Sequence, residues 1–281
     1  LPRRVAREAR PRATIGEPMQ QAKMPEEHYL SLMQLEDEYW WHQSRYRAVW
    51  EALWRHRPPM PTLRIADIGC GTGGFLRFLR ARGFQCVTGY DFSDAALGGL
   101  QERGIRGHVV DLEKPFVLAD GPADVIVALD VMEHIADEAR FLRAVAANLS
   151  PGGTFVVTVP GHSFLFSDWD RQLNHFRRYS RPDLRRRLER SGLRVIESSH
   201  FFSFGVPLGL VRKWFGRYDL PGSCEFPPVP AALNSLLKGL ANLERAYLRV
   251  GSLPFGTSLL AVTRYRGHEP EISRAANRSP V

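Results

Sequence analysis

Short apolar runs alternate with amphipathic segments along most of the chain. From residue 63 onward, the runs LRIADI, CVTGYD and GHVVDL are separated by GGFLRFLRARG and SDAALGGLQERG. The alternation continues through ADVIVALDV, ADEARFLRAVAANLS and GTFVVTVP. Strands that alternate with helices of this length indicate a parallel sheet with helices on both faces. The pattern therefore predicts an α/β fold with a doubly wound sheet.

The hydrophobic pattern changes on both sides of this core. Aromatic and aliphatic residues recur at three- and four-residue spacing over 26–57, which predicts N-terminal helices. Two further runs, LRVIESSHF and SLLAVTRY, read as the last strands. In chain order we expect a disordered basic arm (1–24), an N-terminal helical lid (25–60), the core (61–202 and 257–266), an apolar helical insertion (203–256) and a flexible tail (267–281).

The net charge of +8 comes almost entirely from arginine. A basic protein can bind nucleic acid, anionic lipid or phosphorylated substrates. Here the positive residues are scattered, apart from the N-terminal arm and the stretch RRYSRPDLRRRLERSGLR. This distribution favours a solvated surface over a functional anion site for most of the charge.

The cysteines and the apolar runs indicate the compartment. The three cysteines lack zinc-type spacing and cannot form a complete set of disulfides, which suits a reducing environment and a chain without structural metal. No uncharged apolar run is long enough to span a bilayer, and the given N-terminus has no apolar signal segment. We therefore expect a cytoplasmic protein, with membrane association left open.

The stretch LRIADIGCGTGGFL joins a buried strand to a helix through a glycine-rich turn. Gly69, Gly71 and Gly74 satisfy GxGxxG, the dinucleotide fingerprint, whereas Gly69, Gly71 and Gly73 satisfy the tighter GxGxG. In both cases the absence of side chains lets a ligand approach the backbone, and the helix N-terminus directs free N–H groups at it. The glycine-rich turn alone does not distinguish the GxGxxG motif from the GxGxG motif. It also does not exclude a turn with a purely structural role.

Acidic residues follow consecutive strands. Asp67, Asp91 and Asp111 end the first three strands, and LDVMEHI ends the fourth. In an open α/β sheet the ligand lies at the carboxyl ends of the strands. Asp91 follows the glycine turn by about twenty residues, the spacing at which a carboxylate binds ribose hydroxyls. Any one of these acids is also suited to capping a turn, but capping alone explains the full set poorly.

Five stretches in order, ADIGCGTGG, GYDFS, VVDLE, ADVIVALDVMEHI and LSPGGTFVVTVPG, resemble the successive motifs of class I S-adenosylmethionine-dependent methyltransferases. The resemblance covers about residues 63–200 and 258–265. It implies a Rossmann-like sheet of seven strands, mostly parallel, whose reversed last strand is SLLAVTRY. It also implies an S-adenosylmethionine cofactor. A nicotinamide enzyme would explain the glycines and Asp91, but not Asp67, Asp111 and LDVMEHI together.

The resemblance also implies roles for individual residues. The glycine turn, including Cys70, would approach the methionine part of the cofactor, and Asp67 would hold its amino group. Asp91 would bind the ribose, and Phe92 would lie beside the adenine. The remaining expected cofactor contacts are Asp111 with the adenine amino group, Leu112 with the ring, and Leu129 and Asp130 with the sulfonium.

Four residues are candidates for a base that removes a proton from the acceptor: His134, His162, His175 and Tyr179. His134 has an alternative structural role at the start of the helix after the fourth strand. His162 and His175 lie in the region after the fifth strand, beside the expected substrate entrance. Arg177 and Arg178 in HFRRYS are able to bind a phosphate or carboxylate, or simply belong to an exposed loop.

The helical lid and the insertion suggest further contacts. Trp41 offers a flat face toward the cofactor or packs in the core, and Arg45 is able to reach a carboxylate. The sequence lacks the motif of enzymes that methylate nucleobase amino groups and the cysteine motif of RNA cytosine methylation. It also lacks the metal-binding triad of catechol-type enzymes. We therefore expect metal-independent methylation of an oxygen or nitrogen on a small-molecule or lipid-linked acceptor, with nucleic acid an unlikely partner. The segment 201–256 would cover the acceptor pocket, touch a membrane surface or form a homodimer.

Overall fold

The computed structural model describes residue 33, residues 35–215 and residues 229–265. The predicted basic arm, the flexible tail and the middle of the predicted insertion lie outside these ranges. Within the described part, a seven-stranded sheet and eight α-helices alternate over most of the chain.

The sheet has the strand order β3-β2-β1-β4-β5-β7-β6. The strands β1 to β5 pair in parallel, whereas β7 runs antiparallel to both β5 and β6. This is the predicted Rossmann-like sheet with a reversed last strand. The strands are β1 Ile65–Ile68, β2 Val87–Asp91, β3 Arg106–Val109, β4 Ala123–Leu129, β5 Leu149–Pro160, β6 Leu193–Phe201 and β7 Ser258–Tyr265.

The helices cover both faces of the sheet, so that the predicted doubly wound arrangement is confirmed. They are α1 Trp40–His56, α2 Gly74–Arg80, α3 Asp94–Glu102, α4 Glu138–Ala147, α5 Asp168–Gln172, α6 Arg181–Arg190, α7 Val206–Phe215 and α8 Ala231–Leu248. Three short 3-10 turns lie at Met132–His134, Ser163–Leu165 and Ser203–Gly205.

Two apolar layers hold the helices against the sheet. On one face, Phe141 of α4 and Leu184 of α6 pack against the buried side chains of the central strands. On the other face, Val49 of α1 and Leu76 of α2 are fully buried. Burial on both faces explains why β1 and β4 read as continuous apolar runs rather than as alternating patterns.

Side-chain caps fix where several helices begin. The Ser93 hydroxyl accepts from the Ala96 N–H, and the Asp137 carboxylate accepts from the Arg140 N–H. The Ser180 hydroxyl accepts from the Asp183 N–H at 3.3 Å, as the SRPD stretch predicts. These caps set the positions of the loops that end at the carboxyl edge of the sheet.

Among its described residues, the segment between β6 and β7 contains two helices, α7 and α8. Helix α8 packs along α1, and α7 follows the 3-10 turn after β6. Among the described residues, no helix is both long enough and apolar enough to cross a membrane.

Candidate active site at the carboxyl edge of the sheet

The turn between β1 and α2 forms the centre of the site. Gly69 and Gly73 have φ values of 70° and 83°, which L-residues with side chains rarely adopt. A Cβ at Gly69 would lie 2.5 Å from the side chain of Val131, and one at Gly73 would collide with Leu100. The turn therefore lies so close to its neighbours that only glycine fits at these two positions.

Asp91, at the end of β2, is fastened to this turn. Its two carboxylate oxygens accept hydrogen bonds from the N–H groups of Gly71, at 2.9 Å, and Ser93, at 3.0 Å. Burial raises the pKa of Asp91, and the backbone hydrogen bonds from Gly71 and Ser93 oppose that rise. Each oxygen keeps a second lone pair, so the carboxylate is able to accept from ribose hydroxyls as well.

Two buried polar atoms beside the turn lack a hydrogen-bond partner among the described residues: Oδ1 of Asp67 and Nε of Arg45. Burial raises the pKa of Asp67 well above its usual range, while the positive charge of Arg45 opposes that rise. Buried polar groups are nearly always paired, so this unmatched acceptor and donor point to a missing ligand. An α-amino acid carries the matching ammonium and carboxylate, so the residues fit the methionine end of S-adenosylmethionine.

Arg45 is held rigidly next to the end of β4. Its guanidinium pairs with the Asp130 carboxylate, which also accepts from the Thr158 hydroxyl at 3.1 Å. The guanidinium lies 4.2 Å from the centre of the Trp41 ring, a cation–π contact. Trp41 is only partly buried and packs against the core layer of α1. Its proposed position facing the cofactor stays a prediction, as does the expected contact of Leu129 and Asp130 with the sulfonium.

The residues expected around the adenine differ in burial. Leu112 is buried, and Phe92 is half-buried. The Asp111 side chain is 42% exposed, accepts a hydrogen bond from the Glu113 N–H in its own turn, and pairs with Lys114 at 2.9 Å. The hydrogen bond and charge of Lys114 lower the pKa of Asp111. Asp111 is thus ionised and accessible to a ligand. It also caps its own turn, the alternative role that the sequence analysis considered.

Glu36, Thr72 and Arg103 form a buried cluster that the sequence analysis missed. Oε2 of Glu36 accepts from the Thr72 hydroxyl at 2.7 Å and from Arg103 at 2.8 Å. Arg103 also donates to the Thr72 carbonyl oxygen at 2.8 Å. The cluster fastens the segment before α1 to the glycine turn. Thr72 lay within the recognised motif, but nothing in the sequence pattern links it to residues so distant along the chain.

The carboxyl ends of β4 and β5 carry a second group of polar residues. Nδ1 of His175 lies 3.0 Å from Oδ1 of Asp170, and Nε of Arg178 donates to the same oxygen at 2.7 Å. Asp170 is fully buried. Burial alone would raise its pKa, but the hydrogen bond from His175 and the charge of Arg178 outweigh burial and lower it. Asp170 is therefore a carboxylate that orients the His175 ring and was not singled out from the sequence.

His134 stands edge-on to His175, with ring centres 4.7 Å apart. Burial and the neighbouring His175 lower the pKa of His134 to about 3, so its ring is neutral near pH 7. Glu133, His134 and His175 bring one possible metal-ligand atom each within 4.8 Å of one another. The sequence analysis expected no metal, and this group is where the described residues are able to hold one.

The other two candidate bases lie elsewhere. His162 has a φ of 60° and stacks on His200 with ring centres 4.5 Å apart, and its Nε2 accepts from the Gly256 N–H. Tyr179 is completely buried, its hydroxyl donates to Glu138, and burial raises its pKa. Tyr179 is therefore withdrawn as a candidate base, because its hydroxyl is enclosed and committed to a structural hydrogen bond. His162 remains possible but has no carboxylate to orient it among the described residues.

A family model for a methyltransferase domain matches residues 39–198, more than half of the chain. The chain belongs to this family. It is a class I S-adenosylmethionine-dependent methyltransferase, and the methyltransferase interpretation is confirmed over the nicotinamide alternative. The matched residues run from the start of α1 to β6, and so include the glycine turn and both polar groups.

Curated relatives match part of the chain. A ubiquinone biosynthesis O-methyltransferase from a Caulobacter species is 38% identical over 107 residues, which are 36% of this chain and 42% of that relative. A probable S-adenosylmethionine-dependent methyltransferase from Mycolicibacterium smegmatis is 29% identical over 174 residues, 59% of this chain and 64% of that relative. The chain thus spans between two fifths and two thirds of the length of these relatives.

Solved structures confirm the fold. A crystal structure of an S-adenosylmethionine-dependent methyltransferase from Mesorhizobium loti aligns with a TM-score of 0.52 and 22% identity. The alignment covers 77% of this chain and 97% of that chain. At this identity the likeness extends to the fold and not to the acceptor.

Proposed function

We propose that the enzyme methylates a hydroxyl oxygen of a small-molecule acceptor, and that His175 removes the hydroxyl proton. The observation that carries the proposal is the pairing of His175 with the buried carboxylate of Asp170 at the edge where β4 and β5 end. A histidine whose one nitrogen donates to a fixed carboxylate presents its other nitrogen as a base.

The residues around the glycine turn would hold the cofactor. Asp67 would accept from its ammonium group, the free Nε–H of Arg45 would donate to its carboxylate, and Asp91 would accept from the ribose hydroxyls. When bound, the cofactor supplies a methyl group on a positively charged sulfur, which a nucleophile displaces. The protein's main contribution is alignment of the two reactants and exclusion of water.

His175 and Asp170 act on the acceptor side. Nε2 of His175 would accept the proton of the acceptor hydroxyl while the hydroxyl oxygen takes the methyl carbon, and the sulfur would leave as a neutral thioether. The ring then carries a positive charge, which the Asp170 carboxylate stabilises through the Nδ1 hydrogen bond. Because the pKa of His134 is lowered to about 3, its ring is neutral near pH 7 and adds no positive charge beside this group. Ser167 holds the other Asp170 oxygen through its N–H at 2.9 Å, so the carboxylate keeps its position.

An oxygen acceptor suits this arrangement better than an amine. An uncharged amine attacks without a base, whereas a hydroxyl becomes a good nucleophile only as its proton leaves. The names of several relatives specify O-methylation in ubiquinone biosynthesis, which supports an oxygen acceptor for this chain and is compatible with a lipid-linked one.

The test is transfer of a labelled methyl group from S-adenosylmethionine to matched acceptors. We would compare phenols and alcohols with their amine analogues, each with and without a long alkyl chain. We expect label on the oxygen compounds, and preference for the alkylated members would indicate a lipid-linked acceptor. Labelling of the amines alone would overturn the proposal.

Treatment with a chelator distinguishes two roles of His175: a base that acts without metal, and a ligand of a metal held by Glu133, His134 and His175. We expect the transfer rate to be unchanged after treatment with EDTA, because His175 acts as a base without a metal. Loss of activity that returns on addition of magnesium, manganese or zinc would show instead that the group holds a metal, and the role of His175 as base would fail.

A further inference from the structure

Helix α8 packs Ala241, Leu248 and several polar residues against the protein, and turns a row of large apolar residues toward solvent. Leu236 is 59% exposed, Leu243 is 71% exposed and Val250, just past the helix, is 86% exposed. Leu233, Leu240 and Tyr247 flank them and are also exposed. An ordinary surface helix turns its apolar stripe to the core alone, whereas α8 has a second apolar stripe that faces solvent.

Polar contacts to the rest of the molecule fix this rotation of α8. The Asn234 side chain accepts from the Trp40 N–H at 2.8 Å. Glu244 accepts from the Ser203 N–H at 2.7 Å, and Arg245 pairs with Glu51 of α1. Turning the leucines inward would break all of these contacts. The exposed face is therefore built into the fold.

Exposed residues along α8 and just past its end alternate between large and small at four- and three-residue spacing. The large members are Leu236, Leu243 and Val250, and the small members are Ala232, Gly239 and Ala246. Spacing of this kind is the seam of a two-helix coiled coil. The seam contains no charged residue, and the adjacent Arg249 is already paired with Glu51 at 2.9 Å.

We propose that α8 is a dimerisation surface that binds α8 of a second copy of this chain in antiparallel orientation. With a two-fold axis beside residue 241, Ala232 faces Val250, Leu236 faces Ala246 and Gly239 faces Leu243 of the other copy. Every large residue then meets a small one, and each contact occurs twice, as a two-fold interface requires. A parallel pairing would instead place large against large and small against small.

Gly239 gives independent support. A Cβ at this position would have nothing within 4 Å, so the single chain leaves room for a side chain there. Glycine weakens a helix relative to alanine. Close approach of Leu243 from the second copy provides a reason for glycine at this position.

The area is sufficient for a reversible dimer. Helix α8 is about 27 Å long at 1.5 Å per residue. Two such seams with their flanking residues bury on the order of 1,000 Å², which is at the lower limit for a specific interface. We therefore expect a reversible dimer whose population rises with protein concentration.

Analytical ultracentrifugation of the full chain tests the proposal. Native protein should shift from monomer to dimer with concentration, and Leu243→Glu should stay monomeric. Val117→Glu is the matched control, because Val117 is 85% exposed and lies in the loop before β4. A native protein that stays monomeric, including one that binds anionic vesicles as a monomer, overturns the proposal. So does a Leu243→Glu variant that dimerises like the native protein while both variants retain the native circular dichroism spectrum.

Disulfide cross-linking tests the orientation. Ala232→Cys and Val250→Cys are made separately in a chain whose Cys86 and Cys224 are replaced by serine. In the antiparallel dimer the two new cysteines of either variant alone lie about 27 Å apart, at 1.5 Å per residue. We expect cross-linked dimer only when the two variants are mixed. Cross-linking of each variant with itself would indicate a parallel pair and contradict the proposed geometry.

Discussion

The two polar groups at the carboxyl edge of the sheet differ in how their hydrogen bonds are satisfied. Around the glycine turn, Asp67 and Arg45 each keep a buried polar atom without a partner among the described residues. After β5, Asp170 receives hydrogen bonds from three residues, His175, Arg178 and Ser167. We infer that a ligand completes the first group, whereas the Asp170 pairing of the second group is already assembled. The difference indicates binding by the first group and proton transfer by the second.

The largest effect is expected from His175→Asn, which removes the base and preserves a polar side chain. Loss of a general base lowers kcat by about 100- to 10,000-fold. Cofactor affinity should stay unchanged, because His175 belongs to the assembled group. Both are measurable, by labelled methyl transfer and by calorimetry with S-adenosylhomocysteine.

His56→Asn is the matched control for that variant. His56 also pairs with a carboxylate, with Nε2 2.6 Å from Oε2 of Glu197, but it lies at the end of α1 away from the site. We expect full activity from it. If both variants lost activity equally, the effect would reflect lost stability rather than a lost base.

Asp67→Asn should act on the other group. The substitution removes a charged hydrogen bond to the cofactor's ammonium, worth about 1.5–3 kcal/mol, so the dissociation constant for S-adenosylhomocysteine should rise about 10- to 100-fold. Asp124→Asn, at the start of β4, is the control that should bind normally. Unchanged affinity of Asp67→Asn would remove Asp67 from the cofactor site.

Asp67 should also make cofactor binding depend on pH. Its pKa in the free protein is raised by burial, and the ammonium requires the carboxylate form. Binding should therefore weaken as pH falls below that raised pKa, by up to about tenfold per pH unit for one proton. The slope should vanish in Asp67→Asn. Calorimetry over a pH series would show either result.

Trp41→Ala is expected to have an intermediate effect. The Trp41 ring supports the Arg45 guanidinium through a cation–π contact worth about 0.5–2 kcal/mol, which corresponds to about 2- to 30-fold in cofactor affinity. Trp54→Ala is a control on the same helix, because Trp54 stacks on Phe84 instead. If the Trp54 variant weakened binding as much, general destabilisation of α1 would be the cause.

The last expected effect is on stability and not on rate or cofactor binding. Because the pKa of Asp67 is higher in the folded than in the unfolded protein, the folded state binds more protons between these two pKa values. Stability contributed by this group therefore falls as pH rises through that window. Above it, cofactor-free Asp67→Asn should be more stable than the native protein by about 1–3 kcal/mol, the cost of a buried unpaired polar group. Denaturant titrations at two pH values would test this.

The cofactor half of the site was largely predictable from the sequence because its residues occupy strand ends. Once the strands were placed, parallel pairing brought Asp67 and Asp91 to the same edge as the glycine turn. The doubly wound sheet followed from the alternation of strands and helices, and its reversed last strand from the family resemblance. The unpaired state of Asp67 was not predictable, because it depends on which donors surround it in space.

The acceptor half was predictable only in part. The region of His175 was recognised, but its pairing with Asp170 requires the chain to reverse after α5, through Asn174 at a φ of 57°. No hydrophobic periodicity encodes that turn. The burial of Tyr179 was also hidden, since its partner Glu138 lies on α4, 41 residues away in the chain.

The division between the two groups is tested most directly by combining His175→Asn with Asp67→Asn. Among the residues that the structure describes, Asp67 and Asp170 have no hydrogen-bond partner in common. The losses of kcat/KM in the two single variants should therefore multiply to within about twofold in the double variant, as expected for independent sites. The measurement compares kcat/KM of the double variant with the product of the losses measured in the two single variants. A double variant no worse than either single variant would show that the residues act as one unit and would contradict the separation of binding from proton transfer.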